Sequence, residues 1–314
     1  GAARMSGRLV KVASRSFSKH PVLRREITDA FADVVFNESG ATLSGQALVD
    51  FFQDVAGAVI GLEPITAEFL DQCPELKIVS KYGVGLDSVD QDACRERGVA
   101  IGWTGGVNRR GVAEMALCLM IGLMRGILFS ERRLRAERDW NKDGGTQLSG
   151  HTVGIIGVGF VGKDLVELLR PFDCRILVND IIDQSAYYKE NGLIEASKEE
   201  IFEAADIITV HTPLDASTRG MINGAMIARM QKSAYLINVA RGGIVHQDDL
   251  KQALKAGSIA GAALDVFDVE PCEDVEFLAL PNLYCTPHTG GSAEESILAM
   301  GRSAIGHLAE HFKG

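Results

Sequence analysis

The run from Val153 to Asp180, VGIIGVGFVGKDLVELLRPFDCRILVND, constrains the fold more than any other stretch of the chain. Gly157, Gly159 and Gly162 stand in the spacing G-x-G-x-x-G, directly after the β-branched Val153, Ile155 and Ile156. The apolar helical pattern Val161, Leu165, Val166, Leu168, Leu169 follows at once, so strand, glycine turn and helix are predicted in that order. A second β-rich run, Arg175 to Val178, ends at Asn179-Asp180 and sets a carboxylate eighteen residues beyond the last glycine, close to where a βαβ dinucleotide site needs one. The first glycine permits the tight turn, the second lets a pyrophosphate approach the backbone, and the third lets helix and strand pack closely. The helix N-terminus then offers unpaired N–H groups to the phosphates.

A glycine triplet alone is weak in a chain with 34 glycines; its setting between strand, helix and acidic strand end carries the dinucleotide reading. Asp180 can accept both ribose hydroxyls of an adenosine, and its charge would face a 2′-phosphate. Ile181-Ile182 offer no Arg to receive such a phosphate, so NAD is expected rather than NADP. Phe160 stands where a basic residue would help hold the pyrophosphate, which leaves most of that contact to backbone amides.

The length of 314 residues suggests two domains, and 46% hydrophobic residues suffice for two cores. With 32 basic against 42 acidic residues the net charge is −10, which disfavours nucleic acid and anionic membrane as partners and points to a small molecule or a protein. Cys73, Cys94, Cys118, Cys174, Cys272 and Cys285 lie far apart with no C-x-x-C, so they read as buried thiols in a reducing compartment, with no metal site. Gly1-Ala2-Ala3-Arg4 ahead of Met5 reads as a cloning remnant, no basic-then-apolar leader is visible, and a cytoplasmic location is expected. The most apolar helical stretch, Met115 to Met124, is about half the roughly 20 residues that span a bilayer.

Along the first hundred residues short apolar runs (9–12, 34–36, 58–61, 77–80 and 99–101) alternate with helical segments (21–32, 44–55 and 66–73), which implies a parallel sheet covered by helices. The turn Lys81 to Asp87 follows the fourth run at its C-terminal end. It reads equally as a nest of amides for a small anion or as a plain strand-to-helix loop. A helix from Val112 to Leu128, apolar almost all round, must be buried on several sides, whereas Glu131 to Arg138 is charged and reads either as a solvated helix or as an arm toward a partner subunit ending in Trp140.

Beyond the glycine turn, further strands end at His211-Thr212-Pro213, at Ala240-Arg241-Gly242-Gly243, at Asp265 and at Thr286-Pro287-His288. In a doubly wound sheet such ends line one crevice, so Asp180, His211, Arg241, Asp265 and His288 are candidates for one ligand. Arg241 offers a planar fork for a carboxylate, His288 can exchange a proton near neutral pH, and Glu270 can orient its ring. Taken singly, each has a structural reading as well: a surface Arg, a hydrogen-bonded core His, a Glu ending a turn before Pro271.

The pieces GVGFVG, HTPLDASTRGMIN, INVARGGIVHQDDL, ALDVFDVEP and TPHTGG, with SKYGVGLDSVD and NRRGVAEMAL upstream, resemble in order and spacing the D-isomer-specific 2-hydroxyacid dehydrogenase family, and YGVGLDSVD is most like its phosphoglycerate dehydrogenase branch. The resemblance implies an α/β protein of two doubly wound parallel-sheet domains. These are a flavodoxin-like substrate domain over residues 1–107 and 290–314 and a Rossmann NAD-binding domain over 108–289. It implies a catalytic triad of Arg241, Glu270 and His288, and a cofactor set of Gly157, Gly159, Phe160, Val161, Gly162, Asp180, His211, Thr212, Pro213, Thr218, Ala240, Asp265 and Gly290. Within that set Asp265 would contact the nicotinamide carboxamide. Substrate would be bound by Tyr82, Gly83, Val84 and Gly85 together with Arg241 and His288.

The implied reaction is hydride transfer between NAD and C2 of a D-2-hydroxy acid, and Lys81, Arg109 and Arg110 could favour a second anion such as the phosphate of 3-phosphoglycerate or phosphohydroxypyruvate, while Lys81 reads equally as pointing to solvent. Glyoxylate, hydroxypyruvate and other 2-oxo acids stand as alternatives, and NAD-sensing corepressors share the architecture. A homodimer is implied, with Trp140 near a partner's site. Ending at Gly314, the chain is expected to lack the regulatory domain of some relatives. It departs from their pattern at Gly111, where a hydroxyl residue is frequent, and at Phe160.

Overall fold

A computed structural model describes residues 4–313 as two compact units, one running to Asn108 and resuming at Ala293, the other spanning Arg109–Ser292. The first unit carries strands β1 (Met5–Val12), β2 (Phe31–Phe36), β3 (Gly57–Ile60), β4 (Ile78–Lys81) and β5 (Ala100–Gly102) in the order β2-β1-β3-β4-β5, all parallel. Successive strand residues serve opposite faces, as a pleat requires. In β3, Ala58 and Ile60 enter one core with Phe52 and Phe69, while Val59 enters another with Phe17, Leu23 and Leu308. Leu308 belongs to the final helix, Glu294–Lys313, which returns the chain to this first sheet. The helix foreseen over 21–32 ends at Ala30, because Phe31 already pairs as the first residue of β2.

The second unit holds β6 (Thr152–Ile156), β7 (Arg175–Asn179), β8 (Ile194–Glu195), β9 (Ile207–Val210), β10 (Tyr235–Asn238), β11 (Gly261–Leu264) and β12 (Leu283–Cys285), parallel and ordered β12-β11-β10-β9-β6-β7-β8. The winding reverses at β6, whose neighbours β7 and β9 lie on opposite sides, so the C-terminal ends of β6 and β9 open the crevice in which such sheets bind ligands. One face of the sheet is covered by the helices Arg109–Met124 and Phe160–Leu169, which bury Ala116, Leu119, Met120 and Leu123 against Leu165, Val166 and Leu169.

The single apolar helix expected over 112–128 is two elements. It begins at Arg109 and stops at Met124, Gly126 takes a left-handed φ of 61°, and a second helix, Ile127–Glu137, buries none of its residues. The thiols are likewise not uniformly buried: Cys73 and Cys94 are, but Cys118 is exposed. Among the described residues no disulfide is formed, and no single helix is long and apolar enough to cross a membrane.

Candidate active site

In the second unit, Gly157 adopts φ 92°, and a Cβ there would lie 2.4 Å from the His211 carbonyl oxygen. A Cβ on Gly162 would meet the Gly157 carbonyl oxygen at 2.4 Å, so the helix Phe160–Leu169 sits against the strand turn at a distance only glycine allows. Around Gly159 a Cβ would meet nothing within 4 Å. That residue caps the helix with no side-chain hydrogen bond, so the first amides of the helix face open space above a glycine, the cradle a pyrophosphate requires. Thr212, beside this turn, holds a buried hydroxyl oxygen with no hydrogen-bond partner among the described residues. The donor set and the open cradle fit a dinucleotide.

Asp180 follows the end of β7. Its carboxylate accepts from the amides of Val158 at 2.7 Å and Ile182 at 3.0 Å, and from Gln184 Nε2 at 3.4 Å, which braces the glycine turn from the adenosine end. His211 follows β9, shares a 2.8 Å hydrogen bond between its Nε2 and the Thr209 hydroxyl, and is pushed by burial down to about 4, so it is neutral at physiological pH. Thr218 donates to the Pro213 carbonyl at 2.7 Å and accepts from the Asp215 amide at 2.9 Å, stapling the loop that carries Thr212 and Pro213. Val161 packs on the core and Phe160 is half exposed.

The proposed proton-transfer pair is assembled from two loops. His288 Nδ1 lies 2.6 Å from Glu270 Oε2, and Glu270 Oε1 accepts from the Phe267 amide at 3.1 Å, so the carboxylate is fixed before it orients the ring. With Nδ1 committed to Glu270, Nε2 is the ring nitrogen left to exchange a proton. His288 itself sits at φ 52°, a left-handed conformation costly for a non-glycine residue, and Asp265 accounts for how it is held. Buried at the end of β11, Asp265 accepts from the Thr286 hydroxyl at 2.7 Å and from the amides of Thr289 at 2.8 Å and Gly290 at 2.9 Å, clamping the chain on both sides of His288.

Arg241 projects from the turn after β10, where its Nη1 donates to the Ala240 carbonyl at 2.8 Å. The turn is shaped by Asn238, which accepts from the Ala240 amide at 3.0 Å and donates to the Arg241 carbonyl at 2.9 Å. A Cβ on Gly242 would collide with the Phe267 carbonyl oxygen at 1.8 Å, so this turn and the Glu270 loop touch backbone to backbone. Sequence reasoning passed over Asn238, Gln184 and Thr286. A buried Asn closing a strand four residues before a Gly-Gly pair is the one local signal that points to the first of them.

In the first unit, Tyr82 donates its amide to the Ile60 carbonyl at 2.8 Å and packs edge-on against Phe17, and burial pushes its phenol up to about 12. Gly83 takes φ 128°, the Val84 carbonyl accepts from Trp103 Nε1 at 2.8 Å, and among the described residues the amides of Gly83, Val84 and Gly85 donate to no acceptor. Lys81, expected after the strand, is instead its last residue and is buried, donating to the Gly61 carbonyl, whose own amide is held by Glu63 at 2.5 Å. Arg110 is also engaged, in a two-point pair with Asp164 at 2.7 Å per contact.

Fold and crevice together define an α/β dinucleotide-binding protein. Residues 117–290, more than half of the chain, match the NAD-binding domain of the D-isomer specific 2-hydroxyacid dehydrogenases. A D-3-phosphoglycerate dehydrogenase from Bacillus subtilis is 36% identical over 252 residues, covering 80% of this chain and 48% of that protein. A glyoxylate reductase from Korarchaeum cryptofilum is 33% identical over 259 residues, 80% of this chain and 78% of that protein. The solved structure of a 2-hydroxyacid dehydrogenase from Ketogulonicigenium vulgare superposes with a TM-score of 0.83 at 26% identity, covering 98% of this chain and 95% of that one. The chain belongs to the D-isomer-specific 2-hydroxyacid dehydrogenase family, and its second unit is an NAD-binding domain. It spans about half the length of the phosphoglycerate dehydrogenases it matches.

Proposed function

We propose that this chain catalyses NAD-dependent interconversion of a D-2-hydroxy acid and its 2-oxo acid, with 3-phosphoglycerate and phosphohydroxypyruvate as the substrate pair. The observation that carries the reading is the His288–Glu270 pair at 2.6 Å, held by Asp265 in the same unit as the glycine cradle. Bound NAD supplies or accepts the hydride at its nicotinamide ring. In reduction, Nε2 of protonated His288 gives its proton to the carbonyl oxygen, and Glu270 stabilises the imidazolium. Arg241 binds the carboxylate and polarises the carbonyl. In the first unit, the amides of Gly83, Val84 and Gly85, which lack acceptors, are assigned to a carboxylate. The proposed homodimer finds support in the helix Ile127–Glu137, which buries none of its residues and leads to Trp140, 76% exposed.

The phosphorylated substrate is favoured by the several phosphoglycerate dehydrogenases among the relatives. A small, unphosphorylated 2-oxo acid is the second reading, and one observation favours it: Lys81 and Arg110 are engaged by the Gly61 carbonyl and by Asp164. A panel of 2-oxo acids with NADH separates them. Phosphohydroxypyruvate is expected to exceed glyoxylate in kcat/KM by about tenfold or more, the worth of one additional charge-assisted contact. Equal values would transfer the assignment to the small 2-oxo acids, and no turnover with any of them despite tight NADH binding would point to an NAD-sensing, protein-binding role.

A further inference from the structure

We propose that Arg109 supplies the pyrophosphate cation that the glycine turn itself lacks, using Phe160 as its platform; the proposal rests on the NAD reading of this site. Residue 160 begins the helix over which the phosphates are expected, and as Phe it brings no charge. The guanidinium of Arg109, the first residue of the helix Arg109–Met124, lies over that ring, 4.6 Å from its centroid. The two helices are tied at this end, because the next residue, Arg110, grips Asp164 in the first turns of the helix Phe160–Leu169 with two 2.7 Å contacts. Asp164 is thereby neutralised by Arg110, and the backbone at Arg109 is fixed beside the cradle.

A guanidinium carries five N–H donors in its plane, so one that stacks through its face can keep a protein partner at one edge and still turn other donors to phosphate oxygens. On this reading the half-exposed Phe160 ring carries the cation that a basic residue would have brought directly. The charge is thus relocated from the glycine turn to a neighbouring helix. Arg109 and Arg110 consequently divide their labour, one for the cofactor and one for holding the helices together.

Titration of NADH by fluorescence, with ADP and adenosine as competitors, tests the assignment in the wild type, Arg109→Ala, Phe160→Ala and the double variant Arg109→Ala/Phe160→Arg. Arg109→Ala is expected to weaken NADH and ADP about tenfold while changing adenosine less than about twofold, since only the first two carry a pyrophosphate. Phe160→Ala should produce a smaller loss of the same kind, and Phe160→Arg in the Arg109→Ala background should restore NADH to within about threefold of the wild type. Unchanged NADH and ADP affinity in Arg109→Ala, or an equal loss for adenosine, would overturn the role of Arg109 and leave the NAD reading standing. Failure of the wild-type chain to bind NADH would overturn both. Matching melting temperatures across the variants would show that the affinities are not read from partly unfolded protein.

Discussion

His211 illustrates how a single residue in the crevice is tuned for a neutral role. Its ordinary value of 6.5 is pushed down to about 4 by burial, while its ring bonds to the Thr209 hydroxyl. Between these two values the unfolded chain takes up a proton that the folded chain refuses, so stability is fully present above pH 6.5 and falls as the pH drops toward 4. The shift amounts to at most about 3 kcal/mol. His211→Gln is expected to remove that part of the pH dependence. Urea unfolding at pH 7 and at pH 4.5 should show the wild type losing about 2 kcal/mol more than the variant, and parallel losses would refute a neutral His211. Other residues were legible as positions but not as contacts. Asp180 and Asp265 stand where strand ends predict site carboxylates, yet both turn oxygens onto backbone amides of neighbouring loops. Which loop folds back onto which strand end is decided by the pairing of β11 with β12 and of β6 with β7, information that no local spacing contains.

At the scale of elements, the glycine turn separates two physical demands that the motif presents together. Gly162 is required by packing, since a Cβ would lie 2.4 Å from the Gly157 carbonyl oxygen, whereas Gly159 faces open space. Gly162→Ala should therefore cost about 1–3 kcal/mol of stability through overpacking against backbone. Gly159→Ala should stay within about 1 kcal/mol of the wild type and lose NADH affinity. Denaturant midpoints and NADH titrations on both variants check the division, and a larger stability loss for Gly159→Ala than for Gly162→Ala would contradict it. The strand and helix runs around this turn were legible because their apolar periods differ, two residues against three to four. The break between the helices Arg109–Met124 and Ile127–Glu137 was not. Apolar residues continue across it as far as Leu128, and only the left-handed φ of Gly126 divides them.

At the scale of the molecule, two parallel sheets were implied by the repeated alternation of short β-branched runs with helical segments, and the strand orders β2-β1-β3-β4-β5 and β12-β11-β10-β9-β6-β7-β8 agree with doubly wound architecture. Arg241, Glu270 and His288 were legible as residues in Gly- or Pro-rich turns, while their reading as a triad came from the family resemblance and not from spacing. What Lys81, Arg109 and Arg110 touch was not legible: a cation in sequence does not announce whether it will cap a carbonyl, pair with Asp164 or stack on Phe160. The central claim is that the second unit binds NADH through the glycine cradle while His288, oriented by Glu270, moves the proton. Turnover of the best 2-oxo acid and NADH affinity measured side by side in His288→Ala test it most directly. The expected result is a fall in kcat of about 10²–10⁴ with the NADH Kd within about threefold of the wild type. Preserved turnover accompanied by lost NADH binding would contradict it.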